Sequence, residues 1–303
     1  MKFNISYFGP EDIFNARRDL ILSLKYSLEE NGHEAILSGK TIDPKRFNLI
    51  LGAYFMTPEQ VVTVINSKYK FAIINTEIIA NGLLNYNPKK VDFKGVYLPF
   101  MKAGAFVWDL VPENLEKHKF YKTNGYLIKF GFLEKLHEIE HSQHKEFDYY
   151  FFGMISTRRL KLIQSLQKLG FKGVVDGMCP YFLRNDHIAL SKVQLNLVQK
   201  NVYTHLNSLR VSYLANNRCA IVSDCITSKD NYLEDLMITT GTDELATILA
   251  ELISGDRYQD IANESFEAYR KRPMKLHMEK LLDLSFSPVE SDSLEDANSV
   301  TTI

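Results

Sequence analysis

A strand-to-helix junction in the second half of the chain combines residues that can bind phosphate. The apolar run FDYYFF ends at Gly153, and Ser156 precedes a predicted helix whose first turn contains Arg158 and Arg159. Backbone N–H groups at a helix N-terminus attract anions, and arginine adds charge-assisted hydrogen bonds. Positive charges at a helix N-terminus are mildly destabilising because they oppose the helix dipole. Since this cost would be offset by a bound anion, we favour an anion ligand over the alternative, a capped surface helix with solvated arginines.

A second group of polar residues begins with Lys192, just before the predicted strand Val193–Leu197, and continues after it. In a predicted helix over Tyr203–Asn216, the residues Tyr203, Asn207 and Arg210 have the spacing i, i+4 and i+7 and therefore share one face. Such a stripe can bind a diphosphate or a sugar. The alternative is a polar face that meets solvent or makes structural pairs.

Three further positions end predicted strands, where the ligands of parallel α/β sheets bind. Ser223-Asp224 closes the strand CAIVS, Glu77 follows FAIIN, and Asp109 follows Phe106-Val107-Trp108. A carboxylate at such a point can act as a general base or hydrogen-bond a hydroxyl. The alternatives are an ordinary turn for Ser223-Asp224 and a cap of the next helix for Glu77 and Asp109.

Three histidines raise the question of a metal site. His137, His141 and His144 are spaced i, i+4 and i+7, but they lie among charged residues between the two halves of the chain. We interpret this segment as a solvated linker and predict no metal ligands. A Walker A loop, a G-x-G-x-x-G motif and an HExxH motif are also absent from the sequence.

The elements that position these residues alternate between strands and helices almost throughout. This alternation predicts an α/β protein with parallel sheets, in which two doubly wound, Rossmann-like domains face a cleft. We place the first domain at 1–133, a linker at 134–146, the second domain at 147–284, and a Ser/Asp/Glu-rich, disordered tail at 285–303.

The composition is that of a globular protein. The chain has 303 residues, 45% of them hydrophobic, and a formal net charge of −1, so it lacks the basic excess of general nucleic-acid binders. Its three cysteines form neither a disulfide framework nor a zinc pattern, which favours reduced thiols. With no signal peptide or membrane span in the sequence, we expect a cytoplasmic protein.

The order of these motifs resembles bacterial GT-B glycosyltransferases of the group 1-like or CgeB-like type. The resemblance runs from about Asn48 to Leu282 and rests on seven pieces: LILGA at 49–53, INTE at 74–77, VWDL with EN at 107–114, FG to RR at 152–159, SKV with LN at 191–196, RVSYL at 210–214, and IVSD at 221–224. The sequence departs from the family at Asn207 and at Asp224, where similar chains often have glutamate, and it lacks the Glu-x7-Glu pair of many retaining enzymes.

The resemblance implies that the second domain holds a nucleotide-sugar and the first holds the acceptor. Ser156 with Arg158 or Arg159 would face the diphosphate, and Lys192 and Arg210 would lie nearby; Glu77 and Asp109 would face the acceptor. A UDP- or GDP-sugar would be the donor, with no other cofactor, and the acceptor would be a glycan or another small hydroxyl compound rather than nucleic acid. A non-catalytic nucleotide-sugar-binding protein and a nucleotide-sugar epimerase remain alternatives.

Overall fold

The computed structural model describes residues 1–87, 91–199, 206–224 and 232–287. Its first sheet has six parallel strands in the order β2-β1-β3-β4-β7-β8. They are β1 (Lys2–Tyr7), β2 (Glu34–Ser38), β3 (Phe47–Leu51), β4 (Phe71–Asn75), β7 (Val107–Asp109) and β8 (Gly125–Leu127), and a small antiparallel hairpin of β5 (Ile79–Ala80) and β6 (Leu83–Leu84) follows β4.

Helices cover both faces of this sheet: α1 (Glu11–Glu30), α2 (Pro58–Asn66), α3 (Leu98–Ala103) and α4 (Asn114–Tyr121). Helix α2 begins as its sequence predicts. The Thr57 side chain accepts a hydrogen bond from the backbone of Gln60, the Gln60 side chain accepts one in return, and Pro58 occupies the first helical position.

The second sheet repeats the arrangement with five parallel strands in the order β10-β9-β11-β12-β13. These are β9 (Phe147–Phe152), β10 (Gly173–Asp176), β11 (Ser191–Asn196), β12 (Ala220–Ser223) and β13 (Ile238–Thr239). The accompanying helices are α5 (Thr157–Lys168), α6 (Tyr181–Leu190), α7 (Ser208–Asn216), α8 (Leu245–Ile253), α9 (Arg257–Arg270) and α10 (Met274–Phe286).

Both sheets are doubly wound, as predicted, and each has one switch point where the strand order reverses. In the first sheet this point lies between β1 and β3, and in the second between β9 and β11. The strands that flank both points are largely buried, as expected when helices cover both faces of a sheet. Ligands of such sheets bind outside the carboxyl ends of the strands at this point.

The last helix crosses back to the first domain. Met274, Met278 and Leu281 of α10 join the core formed by α1 and the first sheet, and the Trp108 indole N–H donates to the Ser285 hydroxyl at 2.8 Å. The sequence predicts that the second domain ends at residue 284 and that residues 285–303 form a tail. The helix instead continues through Phe286; residues 288–303 lie outside the described part of the chain.

The linker histidines are not on a helix, and His137 and His141 are not solvated as the sequence suggested, whereas His144 is exposed. His137 Nδ1 and His141 Nε2 each lie 2.7 Å from a backbone carbonyl at the end of α7, that of Asn216 and that of Asn217. These contacts fasten the linker to the second domain. Across the described ranges, no cluster of three or more His, Cys, Asp or Glu side chains could hold a metal, and no helix is long and apolar enough to cross a membrane.

We predict that Phe286→Ala lowers the free energy of unfolding by about 2 kcal/mol, because the Phe286 ring packs on three buried aromatic rings. Its ring centroid lies 5.1 Å from that of Phe47, 5.2 Å from Phe106 and 6.3 Å from Phe3. Leu284→Ala, at an exposed position of the same helix, is the matched control. Equal denaturation midpoints for the two variants would show that the helix end does not pack.

We also predict that His141 makes stability depend on acid pH. Burial lowers the pKa of His141 to about 4 from 6.5, and Lys145 Nζ lies 3.1 Å from its Nδ1, which must be unprotonated to accept that hydrogen bond. Because the folded pKa lies below the unfolded value, the stabilisation is present above about pH 6.5 and is lost as the pH falls toward 4.

Chemical denaturation between pH 7 and 4 checks this prediction. The wild type should lose about 2 kcal/mol more than His141→Gln, which cannot titrate. His144→Gln, at an exposed linker position, should behave like the wild type. A His141→Gln variant with the full wild-type pH dependence would contradict the assignment.

Candidate functional site

A cleft of about 390 Å³ lies between the two domains, where the carboxyl ends of both sheets meet. The first domain contributes residues that follow β3, β4 and β7 together with one face of α1. The second contributes the segments after β9, β10 and β11 and the start of α7. Both switch points therefore open into one cavity, as the sequence predicts for two facing doubly wound domains.

Gly153 lies closely against Arg210 in the cleft. Gly153 follows β9 with φ +121°, and a Cβ there would lie 2.5 Å from Arg210 Nη2. A larger residue would be strained by its backbone and would push the guanidinium away. The glycine that ends the predicted strand is therefore required by the arginine beside it.

Arg210 is a buried cation without a carboxylate partner among the described residues. It is 7% exposed; Nη1 donates to Asn196 Oδ1 at 3.2 Å, and the buried Nε has no hydrogen-bond partner. Its guanidinium lies 5.2 and 5.0 Å from the ring centroids of Phe151 and Phe152. Burial, and next the nearby Arg159 charge, lower the pKa of Arg210 to about 9, so it is still charged at neutral pH. A buried, unpaired donor of this kind indicates an anion site.

Arg159 is fixed at the same place by backbone carbonyls. Its Nε donates to the Leu197 carbonyl at 2.9 Å and its Nη1 to the Met154 carbonyl at 2.7 Å. Ser156 caps α5 as predicted, accepting from the Arg159 backbone N–H at 3.4 Å, and its hydroxyl donates to the Gln199 carbonyl. Arg159 lines the cleft, whereas Ser156 helps to hold the loop after β11.

Three predicted site residues do not line the cleft but lie behind the residues that do: Arg158, Ser223 and Asp224. Arg158 Nη1 donates to an Asp224 carboxylate oxygen and, at 3.0 Å, to the Val198 carbonyl; Asp224 also accepts from the Val198 N–H at 2.7 Å. The Ser223 hydroxyl accepts from Asn196 Nδ2 at 3.0 Å. These three residues therefore support the cleft-lining segment Asn196–Gln199.

Lys192 and Asn207 also differ from what the sequence predicts. Lys192 is the second residue of β11, near the end of the strand opposite the cleft, and it pairs with Asp148 at 3.0 Å. Asn207 lines the cleft but is the N-cap of α7, accepting from the Arg210 N–H at 3.2 Å, because the helix starts at Ser208. The predicted stripe on a single helix face is thus not formed, and Tyr203 lies outside the described residues.

Glu77 is, with Asp19, one of the two carboxylates that the described part of the first domain contributes to the cleft. It is almost fully buried, and it accepts hydrogen bonds from Arg17 Nη2 at 3.1 Å, from the Thr76 hydroxyl at 2.9 Å and from Asn85 Nδ2. Arg17 also donates to the Tyr54 hydroxyl, whose pKa is raised by burial and next by the Glu77 charge. These three contacts hold the carboxylate on the cleft wall, where a carboxylate can act as a general base toward a bound hydroxyl.

Asp109, the other predicted carboxylate, does not line the cleft. It is completely buried and accepts from Asn75 Nδ2 at 2.8 Å and the Val111 N–H at 2.8 Å, while His118 Nε2 lies 2.8 Å away. Asn114 joins the same network. Its side chain therefore fixes the ends of β4 and β7, which position Leu110 and Val111 in the wall.

A buried ion pair that is not evident from the sequence joins the two walls of the cleft. Arg184 of α6 donates to both carboxylate oxygens of Asp19 of α1, at 2.6 and 3.1 Å, and both side chains are buried. Arg17 was missed as well. Both arginines lie inside amphipathic helices, where the sequence does not distinguish a cleft-facing charge from a solvated one.

Two doubly wound α/β domains with a shared cleft define the GT-B architecture, and comparison with solved structures agrees with this class. An α-glucosyltransferase in complex with UDP and a 13-mer DNA containing a central A:G mismatch superposes with a TM-score of 0.64 at 9% identity, over 94% of this chain and 99% of that one. T4 phage BGT in complex with its UDP-glucose substrate superposes with a TM-score of 0.59 at 13% identity, over 95% of this chain and 100% of that one.

TarM gives a TM-score of 0.53 at 10% identity, over 81% of this chain and 55% of that one. Neither the scan of protein-family models nor the search of curated proteins gives a match. At these identities the similarity shows the GT-B fold; the specific CgeB-like family is not confirmed.

We predict that Arg210→Met weakens UDP binding while leaving the ligand-free protein as stable or more stable. The substitution removes an unpaired buried charge at similar volume, which is often neutral or stabilising, and it removes charge-assisted hydrogen bonds of about 1.5–3 kcal/mol to a bound anion. Calorimetric titration and thermal melting of the same sample check both parts.

Lys192→Met is the matched control, because that lysine lies away from the cleft. It should leave UDP affinity unchanged. If Arg210→Met melts at a lower temperature and binds UDP like the wild type, Arg210 is a structural residue.

Proposed function

We propose that this protein transfers a glycosyl group from a nucleotide-sugar, UDP- or GDP-linked, to an acceptor hydroxyl. The observation that carries the proposal is the buried Arg210 guanidinium at the switch point of the second sheet, beside Arg159. Within the described ranges, it has no carboxylate partner and its Nε has no hydrogen-bond partner. The GT-B fold and the nucleotide complexes of similarly folded enzymes support this choice of ligand.

The proposed role of the two arginines is to stabilise the leaving group. As the bond between the anomeric carbon and the diphosphate oxygen breaks, negative charge develops on that oxygen. Fixed positive groups in a cavity that excludes water stabilise this charge more than water would. Both guanidinium groups are held by backbone or asparagine oxygens and by aromatic rings, so little reorganisation is needed during the reaction.

Glu77 is the candidate base on the acceptor side. It would accept the proton of the attacking hydroxyl, while the hydroxyl oxygen bonds to the anomeric carbon and the nucleoside diphosphate leaves. Its position on the first-domain wall favours it over Asp109, which is enclosed by side chains and backbone. We therefore assign Asp109 the role of positioning the strands.

The two alternative functions, a non-catalytic binding protein and an epimerase, would give products that differ from those of glycosyl transfer. The test is to incubate UDP-glucose, UDP-N-acetylglucosamine and GDP-mannose with the full chain and a panel of hydroxyl acceptors, including oligosaccharides and hydroxymethylated DNA. Free nucleoside diphosphate together with a glycosylated acceptor supports transfer. An isomerised sugar nucleotide without free diphosphate would indicate an epimerase, and binding without any turnover would indicate a binding protein.

Glu77→Gln separates catalysis from binding. The amide keeps the size and most hydrogen-bonding capacity of the side chain but cannot accept a proton. We expect the transfer rate to fall about 100-fold or more with UDP affinity unchanged, the usual size of a general-base contribution. A variant with wild-type turnover would remove Glu77 from the proposed mechanism.

We further predict that donor turnover persists in EDTA, because the arginines would supply the positive charge that a metal supplies elsewhere. The measurement compares initial rates with and without the chelator. Loss of activity that Mg²⁺ or Mn²⁺ restores would contradict metal independence.

A further inference from the structure

Glu77 is fixed in the cleft by two sets of contacts, one on its backbone and one on its carboxylate. Its carbonyl accepts a hydrogen bond from Asn75 Nδ2 and another from Asn114 Nδ2, both at 2.8 Å, and both asparagines are completely buried. Asn114 also donates to Asp109, which connects this backbone to the ends of β4 and β7. The main chain of Glu77 is thus held independently of its carboxylate.

The carboxylate is held at both of its oxygens. Arg17 Nη2 and the Thr76 hydroxyl donate to Glu77 Oε1, at 3.1 and 2.9 Å, and Asn85 Nδ2 donates to Oε2. The last torsion angle of a glutamate side chain is soft, because it joins a tetrahedral carbon to a planar one. Hydrogen bonds to both oxygens therefore determine the direction in which the plane of the carboxylate faces.

Asn85 is itself fixed by the chain that follows Glu77. Its N–H donates to the Ile78 carbonyl and its Oδ1 accepts from the Ile78 N–H, each at 2.8 Å. Because Oδ1 accepts from a backbone N–H, the amide group cannot be reversed, and its NH2 must face the carboxylate. An aspartate would have the same shape but would place a second negative oxygen against Glu77.

The hairpin of β5 and β6 returns the chain to this position. Asn81 and Gly82 form its turn, with φ +53° and +70°, as in the two-residue turns that suit the twist of paired strands. Ile79 and Leu84 pair across the hairpin and are buried in the first-domain core. Asn85 follows with φ +54°, a left-handed conformation that asparagine adopts more readily than most other residues. The hairpin therefore brings an asparagine back to the carboxylate.

We propose that Asn85 is a positioning residue for glycosyl transfer, which directs the Glu77 carboxylate at the acceptor hydroxyl. Asn85 lines the cleft together with Glu77. A base must lie within hydrogen-bond reach of the proton that it accepts, so its orientation matters as much as its charge. The inference rests on the proposed function, because it takes Glu77 as the base.

Asn85→Gly tests this role, because it removes the amide without straining the backbone; glycine adopts positive φ readily. Asn81→Gly is the matched control. It makes the same change at nearly the same φ in the same hairpin, at an exposed position that does not line the cleft. For each full-length variant the measurements are the transfer rate, UDP affinity by calorimetry, and the melting temperature, which shows that the variant is folded.

We expect Asn85→Gly to lower kcat about tenfold or more, because a small misplacement of a reacting group has an effect of this size. The dissociation constant of UDP should not change. Asn85→Asp should lower kcat further, because two carboxylates placed together repel each other. Asn81→Gly should keep the wild-type kcat.

Combining Asn85→Gly with Glu77→Gln distinguishes positioning from a structural role. If Asn85 acts through Glu77, its substitution costs nothing more once that side chain cannot accept a proton, so the double variant should have the kcat of Glu77→Gln. A merely structural residue would lower kcat by the same factor in both backgrounds.

The outcomes separate this inference from the proposed function. No transfer by the wild type, or wild-type turnover in Glu77→Gln, would overturn the proposed role of Glu77 and this inference with it. A slow Glu77→Gln together with a wild-type rate in Asn85→Gly, an equal loss in Asn81→Gly, or an additive loss in the double variant would overturn the inference alone.

Discussion

The structure of the cleft depends on the cost of burying the Arg210 guanidinium, which has no carboxylate partner among the described residues. The nearby Arg159 charge adds to this cost, and the rings of Phe151 and Phe152 lie beside the Arg210 guanidinium. Several nearby features are explained by the need to hold these cations in place. Gly153 leaves room for one guanidinium, the Arg158–Asp224 pair fixes the loop whose carbonyl binds the other, and Asn207 starts the helix that carries Arg210. An anion that binds between them offsets the cost.

The remainder of the fold holds the second-domain wall of the cleft, which carries Arg159 and Arg210, opposite the first-domain wall, which carries Glu77. The buried Arg184–Asp19 pair joins α6 to α1, and α10 returns from the second domain to the core of the first. The Asp109 network fixes the ends of β4 and β7 beneath Glu77. The two domains are thereby connected at the cleft and behind it, so the distance between the anion site and the candidate base is determined by buried contacts.

The sequence predicted the parts of this arrangement that depend on local patterns. Apolar runs marked the strands, and Thr57 and Ser156 marked helix starts. Strand ends pointed to Glu77 and Gly153 near the cleft, and the predicted polar helix face pointed to Asn207 and Arg210. It could not predict contacts between distant elements. Lys192 pairs with Asp148 near the opposite end of its strand, Asp109 is enclosed by its neighbours, and Arg184 finds Asp19 only in the folded protein. Helix periodicity shows which face is buried, but not that α10 is buried against the first domain.

A crystal structure of the full chain with UDP tests the central claim most directly. The claim predicts that the diphosphate oxygens lie about 3 Å from the guanidinium groups of Arg210 and Arg159, a normal charge-assisted hydrogen-bond distance. The Arg210 Nε, which has no hydrogen-bond partner among the residues that the structure describes, should then have a phosphate oxygen as its partner. A diphosphate bound elsewhere, or one bound in the cleft with both guanidinium groups still directed at their present partners, would contradict it.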